Sequence, residues 1–512
     1  MKRFFTLLLL LAACYGIASA QWNTDSIPVK VLDRAKVKSS TLRPKAVLTK
    51  DGKLWVSYLL NEDKNNHTYL QLLDPDGRKM FEGSGLLVNN QKTPFYTNDY
   101  GLLATEDGSV IVTVHDARYE PNSSNGLYIF NTASVYKIGQ DKKFIWGENG
   151  IDFKKYNTVC HSSLYDIGGD IYYYFVNQGA PGEYHFYVDR IKSDGTFEWS
   201  EPKQVLGQIY PSDGTNFFRL FYKNSCSYIQ KYNRDFVAQW QDSVLFDTYS
   251  PIVDFEPYHC CNDGKGGLAI AYEREMNENR NVRVQYVKAD GTLGFDLIAL
   301  DFYSGDDTST DHFGSQVYFH KGKNQVLAAC TEVLNSKDRG RYYALTFNAF
   351  SDTGKRLFGD GLFLGKKESA TGSSYSLIGM DELSGGDMII AYLDEKSHSE
   401  KQIVIERRTL SDGDSKIVWQ KRIGNYSDVA DAKLIVGDDV SYLVWNNDQE
   451  GVLAARVFNN GSFALSANPV MKDSQAQPQA YYTLDGVRYS SPQHGINIVK
   501  MSDGSVRKII VR

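Results

Sequence analysis

Gly385-Gly386-Asp387-Met388-Ile389-Ile390-Ala391-Tyr392 is a glycine turn feeding a short apolar run, and Ser193-Asp194-Gly195-Thr196-Phe197-Glu198-Trp199 is an Asp-Gly turn followed by aromatics. Both signals recur along the chain. The first appears as Gly52 before KLWVSYLL, Gly108 before SVIVTV, Gly169 before DIYYYF, and Asn224 before SCSYI. It returns as Gly267 before LAIAY, Gly322 before KNQVLAAC, Gly386 before DMIIAY, and Gly437 before DDVSYLVW, a mean spacing of 55 residues. The second follows each anchor. Its copies are Asp76-Gly77 with Phe81, Asp141 with Phe144 and Trp146, Asp194-Gly195 with Phe197 and Trp199, and Asp290-Gly291 with Phe295. Asp352 and Gly354 with Phe358, Asp412-Gly413 with Trp419, and Asn460-Gly461 with Phe463 complete the series. Only the fourth unit is poor, offering Asp242 and Phe246 without a glycine.

Between the two turns lies a second apolar segment, such as YHFYVDRI from Tyr184 or VRVQYVKA from Val282, so each unit reads strand, turn, strand, connection, strand, turn, strand. About four short strands repeated at this spacing, with a turn glycine and an aromatic per unit, predict an all-β protein with a seven- or eight-bladed β-propeller over residues 21–471. One four-stranded blade cannot bury both faces alone; a ring of blades can. The composition agrees. The 34 Tyr, 26 Phe and 7 Trp among 512 residues favour strands, and they are read as filling the wedges between blades in preference to stacking on sugars. A net charge of −6 argues against nucleic acid as a partner. After the first twenty positions no apolar run approaches the roughly 18 residues of a transmembrane segment.

The repeats resemble the quinoprotein-like and related propeller repeats of secreted bacterial proteins, in which a GG- or DG-led strand is followed by a D-G-x-x-x-W/F turn. The segments Gly385–Tyr392 and Ser193–Trp199 carry the likeness best. The resemblance implies architecture and leaves activity open.

Met1-Lys2-Arg3, the apolar stretch from Phe4 to Ala13, and Ala18-Ser19-Ala20 before Gln21 have the order of a signal peptide over residues 1–20, with Ala18 and Ala20 marking the cleavage site. Removing Lys2 and Arg3 takes the net charge to −8. Leu11-Ala12-Ala13-Cys14 offers the alternative of a lipoprotein anchored through Cys14. At the other end, MKDSQAQPQA (471–480) is polar, giving a linker at 472–480, and residues 481–512 read as three short strands. Tyr482-Thr483-Leu484-Asp485-Gly486-Val487-Arg488, Pro492-Gln493-His494-Gly495-Ile496-Asn497-Ile498-Val499 and Lys508-Ile509-Ile510-Val511 resemble the elements of a Bacteroidetes type IX secretion, type A sorting domain. The resemblance assigns a sorting role to Leu484, Gly486, Arg488, Pro492, Gly495, Lys508 and Val511, and implies the secretion machinery as a partner. Val487 stands where the pattern has its first Arg, and a Pro-Asn-Pro opening is missing.

Chemistry is sparse. Walker, G-x-G-x-x-G, H-E-x-x-H, G-x-S-x-G and EF-hand patterns are absent, and sialidase boxes have the wrong spacing at Ser193 and Ser351. Five cysteines remain after the signal, and Cys160-His161 and His259-Cys260-Cys261 read as buried strand residues because neighbours on a strand face opposite ways. No metal and no cofactor is expected. Eight-bladed quinoprotein alcohol dehydrogenases contain adjacent disulfide-bonded cysteines, which Cys260-Cys261 resembles, and Asp352-Thr353-Gly354-Lys355 resembles their repeat; the chain lacks C-x-x-C-H. Asp116, Glu273 and Asp394 end apolar runs, where they either cap loops or line one face of the ring. The expected function is a secreted or cell-surface propeller that binds a glycan or an extracellular protein. The alternative is a polysaccharide-acting hydrolase or lyase with carboxylates from different blades, and, less favoured, a quinoprotein-type dehydrogenase.

Overall fold

The computed structural model of the protein describes residues 22, 28–33, 43–62, 65–91, 100–118, 132–153, 159–178, 184–249, 251, 258–276, 279–295, 299–303, 310–336, 340–368, 374–397, 399–411, 413–462, 478–483, 487–501 and 506–511. Among them every helix or strand assigned is a strand. The chain forms two compact units, Met1–Ala464 and Leu465–Arg512.

In the first unit, successive groups of four strands form antiparallel sheets. Sheet 1 holds Lys45–Leu48, Leu54–Glu62, Asn65–Leu73 and Leu86–Leu87; sheet 2 holds Leu102–Ala104, Val110–Asp116, Thr132–Ile138 and Ile151–Asp152. Sheet 3 holds Val159–Ile167, Asp170–Gln178, Tyr184–Ile191 and Lys203–Val205; sheet 4 holds Gln208–Pro211, Asn216–Lys223, Cys226–Asn233 and Val244–Asp247. Sheet 5 holds His259–Asn262, Leu268–Met276, Asn279–Val287 and Leu300–Asp301; sheet 6 holds Thr310–His320, Gln325–Ser336, Gly340–Ser351 and Leu362–Glu368. Sheet 7 holds Ser374–Glu382, Met388–Ser397, Glu400–Ser411 and Asp414–Tyr426. Sheet 8 takes Ala430–Val436, Val440–Asn447 and Gly451–Phe458, then borrows Val29–Asp33 from the start of the chain as its fourth strand.

Second strands are mostly apolar because most of their length is covered on both faces. Leu54 to Leu60 and Val110 to Asp116 are buried without a break. Apolar clusters lie between consecutive sheets: Trp55, Leu72 and Val112 join sheets 1 and 2, and Ile111, Tyr173 and Ile191 join sheets 2 and 3. The series returns to its start, since Val31, Tyr442 and Val444 of sheet 8 pack with Leu54 and Val56 of sheet 1. This is a β-propeller fold.

The D-G-x-x-x-W/F repeat has a specific use. In sheets 2, 4 and 5 an aromatic four residues beyond the third-to-fourth-strand turn, and in sheet 7 one six residues beyond it, lies on the corresponding turn of the next sheet. Trp146 of sheet 2 covers Gly195 of sheet 3 so closely that a Cβ there would stand 2.7 Å from the indole, and its Nε1 donates to Ser193 O at 3.1 Å. Gly195 has φ +86°, so both the backbone and the space demand glycine. Trp240 covers Gly291, Phe295 covers Gly354, and Trp419 covers Gly461 in the same way. Trp22 closes the series from the N-terminal side by covering Gly77 of sheet 1, with its backbone N–H donating to Asp76 O at 2.8 Å. A polar residue six positions before the turn braces the aromatic segment. Gln71 exchanges two bonds with the Phe81 backbone, at 3.0 and 2.9 Å, Gln230 donates to Trp240 O at 3.2 Å, and Gln285 accepts from Phe295 N at 3.3 Å.

This device relocates the fourth unit's turns. Asn224 lies between the second and third strands of sheet 4, so the first turn there is at Gly214, φ +78°. The second is Asn233 to Phe236, where Phe236 itself adopts φ +64° and Trp240 is the docking aromatic; Phe246 lies on the fourth strand. The second unit is one antiparallel sheet in the order Arg488–Tyr489, Pro478–Tyr482, Gly495–Met501, Val506–Val511, four strands where three were expected. Its strand Pro478–Tyr482 spans the expected boundary at 480/481, and residues 471–477 lie outside the described residues.

In sheet 3 the bracing position is Asp189, wholly enclosed, accepting from the backbone N–H groups of Arg190 and Trp199. Burial, aided by the Glu198 charge and only partly offset by those donors, pushes its carboxyl up to about 6. The folded chain therefore holds this proton more tightly than the unfolded chain, whose carboxyl keeps the ordinary value near 3.8. The stabilisation is complete below about pH 4 and is lost as pH rises through about 6. Asp189→Asn should raise unfolding free energy at pH 7.5 by about 3 kcal/mol and leave it nearly unchanged at pH 4. Denaturant titrations of both proteins at the two pH values check this.

Candidate functional site

The antiparallel order divides the first unit into two ends. First-to-second and third-to-fourth connections lie at one end, most of the third-to-fourth ones running ten to twelve residues from an opening tight turn; second-to-third connections, mostly two or three residues, and fourth-to-first connections gather at the other. Several of the latter, including 92–99, 119–131, 154–158, 252–257, 304–309 and 369–373, lie outside the described residues. The strand ends on this side carry buried charge.

Asp116 ends the second strand of sheet 2 with no exposure. Its oxygens accept from Arg118 Nε and Nη2 at 2.9 Å each and from Asn89 Nδ2 at 3.0 Å, and Arg118 also donates to Tyr136 OH at 2.7 Å. Burial outweighs the guanidinium and moves the Asp116 carboxyl upward. Between sheets 4 and 5, Asp247 accepts from Arg283 Nε and Nη2 at 2.9 and 3.0 Å and from the Tyr272 hydroxyl. Arg283 and Arg274 both reach Asp301, at 3.1 and 3.0 Å. Asp247, Tyr272, Arg274 and Arg283 are all buried. Above them lies Tyr249, 45% exposed, with the Arg274 guanidinium 4.0 Å from its ring centre. Glu273 accepts from the backbone N–H of Gly314 at 2.7 Å, clamping the bulge in sheet 6. Asp394 accepts from Arg422 at 2.7 Å; Glu406 accepts from Arg408 and from Gln420 at 2.8 Å.

A glycosidase needs one carboxyl held protonated and a second held ionised across the bond to be broken, about 5–9.5 Å apart. Asp116, Asp247, Asp394 and Glu406 are instead held by arginines, and Glu273 by backbone. They act as caps and struts. Cys260 and Cys261 point to opposite sides of their strand, Cys260 toward Phe218 and Tyr258, Cys261 toward Phe319 and Val326. Both thiols are free, and burial drives both upward, Cys261 to about 11. The likeness to an adjacent disulfide therefore does not hold, and two protonated thiols lack the thiolate character of a nucleophile or metal ligand. Among the described residues no group of three His, Cys, Asp or Glu is placed to hold a metal, and no helix is long and apolar enough to cross a membrane.

Cys14, Ala18, Ala20, Leu484 and Gly486 lie outside the described residues. The sheet of the second unit brings together Arg488, Gly495, Lys508 and Val511: Arg488 pairs with Tyr482, Lys508 with Ile498, and Val511 with Gly495. Pro492 is exposed in the connection between strands. Sequence reading missed Asp247, Tyr249, Arg283 and Asp301. A signal was available in the repeated fourth-strand endings Ile151-Asp152-Phe153, Phe246-Asp247-Thr248-Tyr249 and Leu300-Asp301-Phe302-Tyr303, each placing an aspartate beside an arginine.

The chain matches no known protein family and no curated protein. Among solved structures it is similar to the polysaccharide lyase Uly1, with 9% identity and a TM-score of 0.44 over 81% of this chain and 89% of that one. A polysaccharide lyase described as an ulvan lyase gives 10% identity and 0.44 over 86% and 98%. The β-propeller domain of the trilobed protease from Pyrococcus furiosus, described as having an open velcro topology, gives 8% and 0.36 over 76% and 100%.

Arg283→Leu should destabilise the protein by about 3–5 kcal/mol, because it leaves the enclosed Asp247 without its guanidinium partner. The double variant with Asp247→Asn should recover much of that loss. Urea denaturation of the single and double variants measures both.

Proposed function

We propose that the protein is a secreted or outer-surface eight-bladed propeller that binds a glycan or an extracellular protein at the end bearing the second-to-third and fourth-to-first connections. The observation that carries this reading is Tyr249, an exposed ring backed by the Arg274 guanidinium, set among carboxylates already held by arginines. An exposed aromatic face whose position is fixed from below binds the C–H face of a sugar or an apolar side chain with little ordering cost. The rival hydrolase or lyase reading requires a carboxyl placed against substrate, whereas Asp116, Asp247 and Asp394 are each occupied by an arginine. Secretion rests on the sequence signals, with the 1–20 leader cleaved after Ala20 and residues 481–512 addressing the chain to a type IX-like secretion machinery; anchoring through Cys14 is the alternative.

A glycan array combined with hydrolysis and lyase assays on residues 21–512 tests the binding role. Binding should appear without turnover, and Tyr249→Ala should weaken it about tenfold or more, the cost of losing one aromatic contact, with no change in melting temperature. Glycan cleavage would replace this reading with the enzymatic one. Deleting residues 481–512 should leave a folded propeller with an unchanged melting temperature, retained in the periplasm. A large fall in melting temperature with normal export would assign those strands a structural task instead.

A further inference from the structure

One register position in each second strand controls how full each junction is at the tight-turn end. In sheet 1 it is Trp55, wholly buried, whose Nε1 donates across the junction to Gly108 O of sheet 2 at 3.1 Å. In sheet 3 it is Tyr172, whose hydroxyl donates to Arg234 O of sheet 4 at 2.9 Å. In sheet 2, between them, it is Ile111. The equivalence is fixed by pairing, since Trp55 opposes Leu72, Ile111 opposes Lys137 and Tyr172 opposes Arg190, each five residues before the docking turn of its sheet. Ile111 packs with Ile171 and Ile191 of sheet 3 but has no polar atom to reach across the junction as Trp55 and Tyr172 do. A cleft of about 210 Å³ is left between sheets 2 and 3.

The cleft is a built site. Ile111, Ile171 and Ile191 line its floor, and Trp146, tied by its Nε1 to Ser193 O, forms one wall. A Cβ on Gly169 at the rim would meet nothing within 4 Å, so the backbone there faces open space. The polar lining is mixed: Glu106, Asp107 and Asp166 face Lys137 and Lys192. Asp107 pairs with Lys137 at 2.9 Å, Glu106 with Lys50 at 2.6 Å, and half-exposed Lys192 with Glu198 at 3.6 Å. Such a lining, close to charge balance, favours a neutral ligand with groups that both donate and accept, which is the property of hydroxyls. The volume falls below the 300–1,000 Å³ of drug-sized sites and suits one small ring.

We propose that this cleft binds a single neutral pyranose ring, with its C–H face toward the Trp146 indole and its hydroxyls bridging the carboxylates and ammonium groups of the rim. The site is at the opposite end from Tyr249 and does not depend on the function proposed there.

Saturation-transfer NMR on residues 21–512, with the methyl glycosides of glucose, galactose, mannose, xylose and N-acetylglucosamine as probes and glucuronate as the charged control, tests this. At least one neutral glycoside should bind saturably with Kd of about 1–10 mM, the range open to a ligand of this size. Ile111→Trp gives sheet 2 the side chain that fills the preceding junction, and should abolish that binding with the melting temperature kept or raised. Lys192→Met, at the surface, provides a second variant that keeps the fold, and should weaken binding about threefold or more by removing one charged hydrogen bond. Tyr249→Ala should leave this binding unchanged, which separates the two sites. No neutral glycoside binding, binding that survives either cleft variant, or tighter binding of glucuronate overturns the proposal.

Discussion

The contact of an aromatic ring with the turn of the next sheet is the constraint on which the first unit depends. A four-stranded sheet with two apolar faces has no stable existence alone, and face-to-face packing by itself leaves neighbours free to slide. Trp146 on Gly195, Trp240 on Gly291 and Trp419 on Gly461 remove that freedom. Each indole both fills the place of a missing Cβ and donates to a carbonyl two residues before the glycine, so contact and register are set together. Trp22 on Gly77, beside the borrowed strand Val29–Asp33, applies the same lock where the two ends of the series meet.

Two of these turns lack glycine, and both keep its conformation. Lys142 has φ +69° and Phe236 has φ +64°, each at a cost of about 1 kcal/mol. Their side chains return something for that cost. The Lys142 ammonium lies 5.0 Å from the Phe81 ring, and Phe236 meets Trp199 edge-on at 5.6 Å. The geometry of the turn is thus retained even when the residue that makes it easy is absent.

The repeats were legible because turns and apolar runs are local. Glycines before runs such as SVIVTV located most second strands, and the Asp-Gly turns located most docking rings. The fourth unit failed because its turn conformation is imposed on Phe236 by the surrounding contacts, and no composition rule marks a phenylalanine as a left-handed residue. The bracing residues Gln71, Gln230 and Gln285 were invisible for a related reason: a glutamine six positions before a turn looks like any strand residue until its partner's backbone is in place. Candidate site residues were less legible still. Asp116 and Asp394 were visible as polar ends to apolar runs, but whether such a carboxylate is an acid or a strut depends on arginines brought by folding, as Arg422 is brought to Asp394.

The same pairing separates the two ends of the unit. Where turns are tight, side chains at fixed register reach the next sheet, and the space left depends on one residue's length, as the contrast of Trp55 with Ile111 shows. At the other end the strand ends are held by charge: Asp247 and Asp301 with Arg283 and Arg274 span the junction of sheets 4 and 5. An ion pair so enclosed is at best a modest source of stability, yet it fixes position firmly, since neither partner can move without leaving the other uncompensated. Strand ends fixed in this way leave the connections free to vary in sequence and length at little cost to the fold, and it is in such segments that recognition is ordinarily placed.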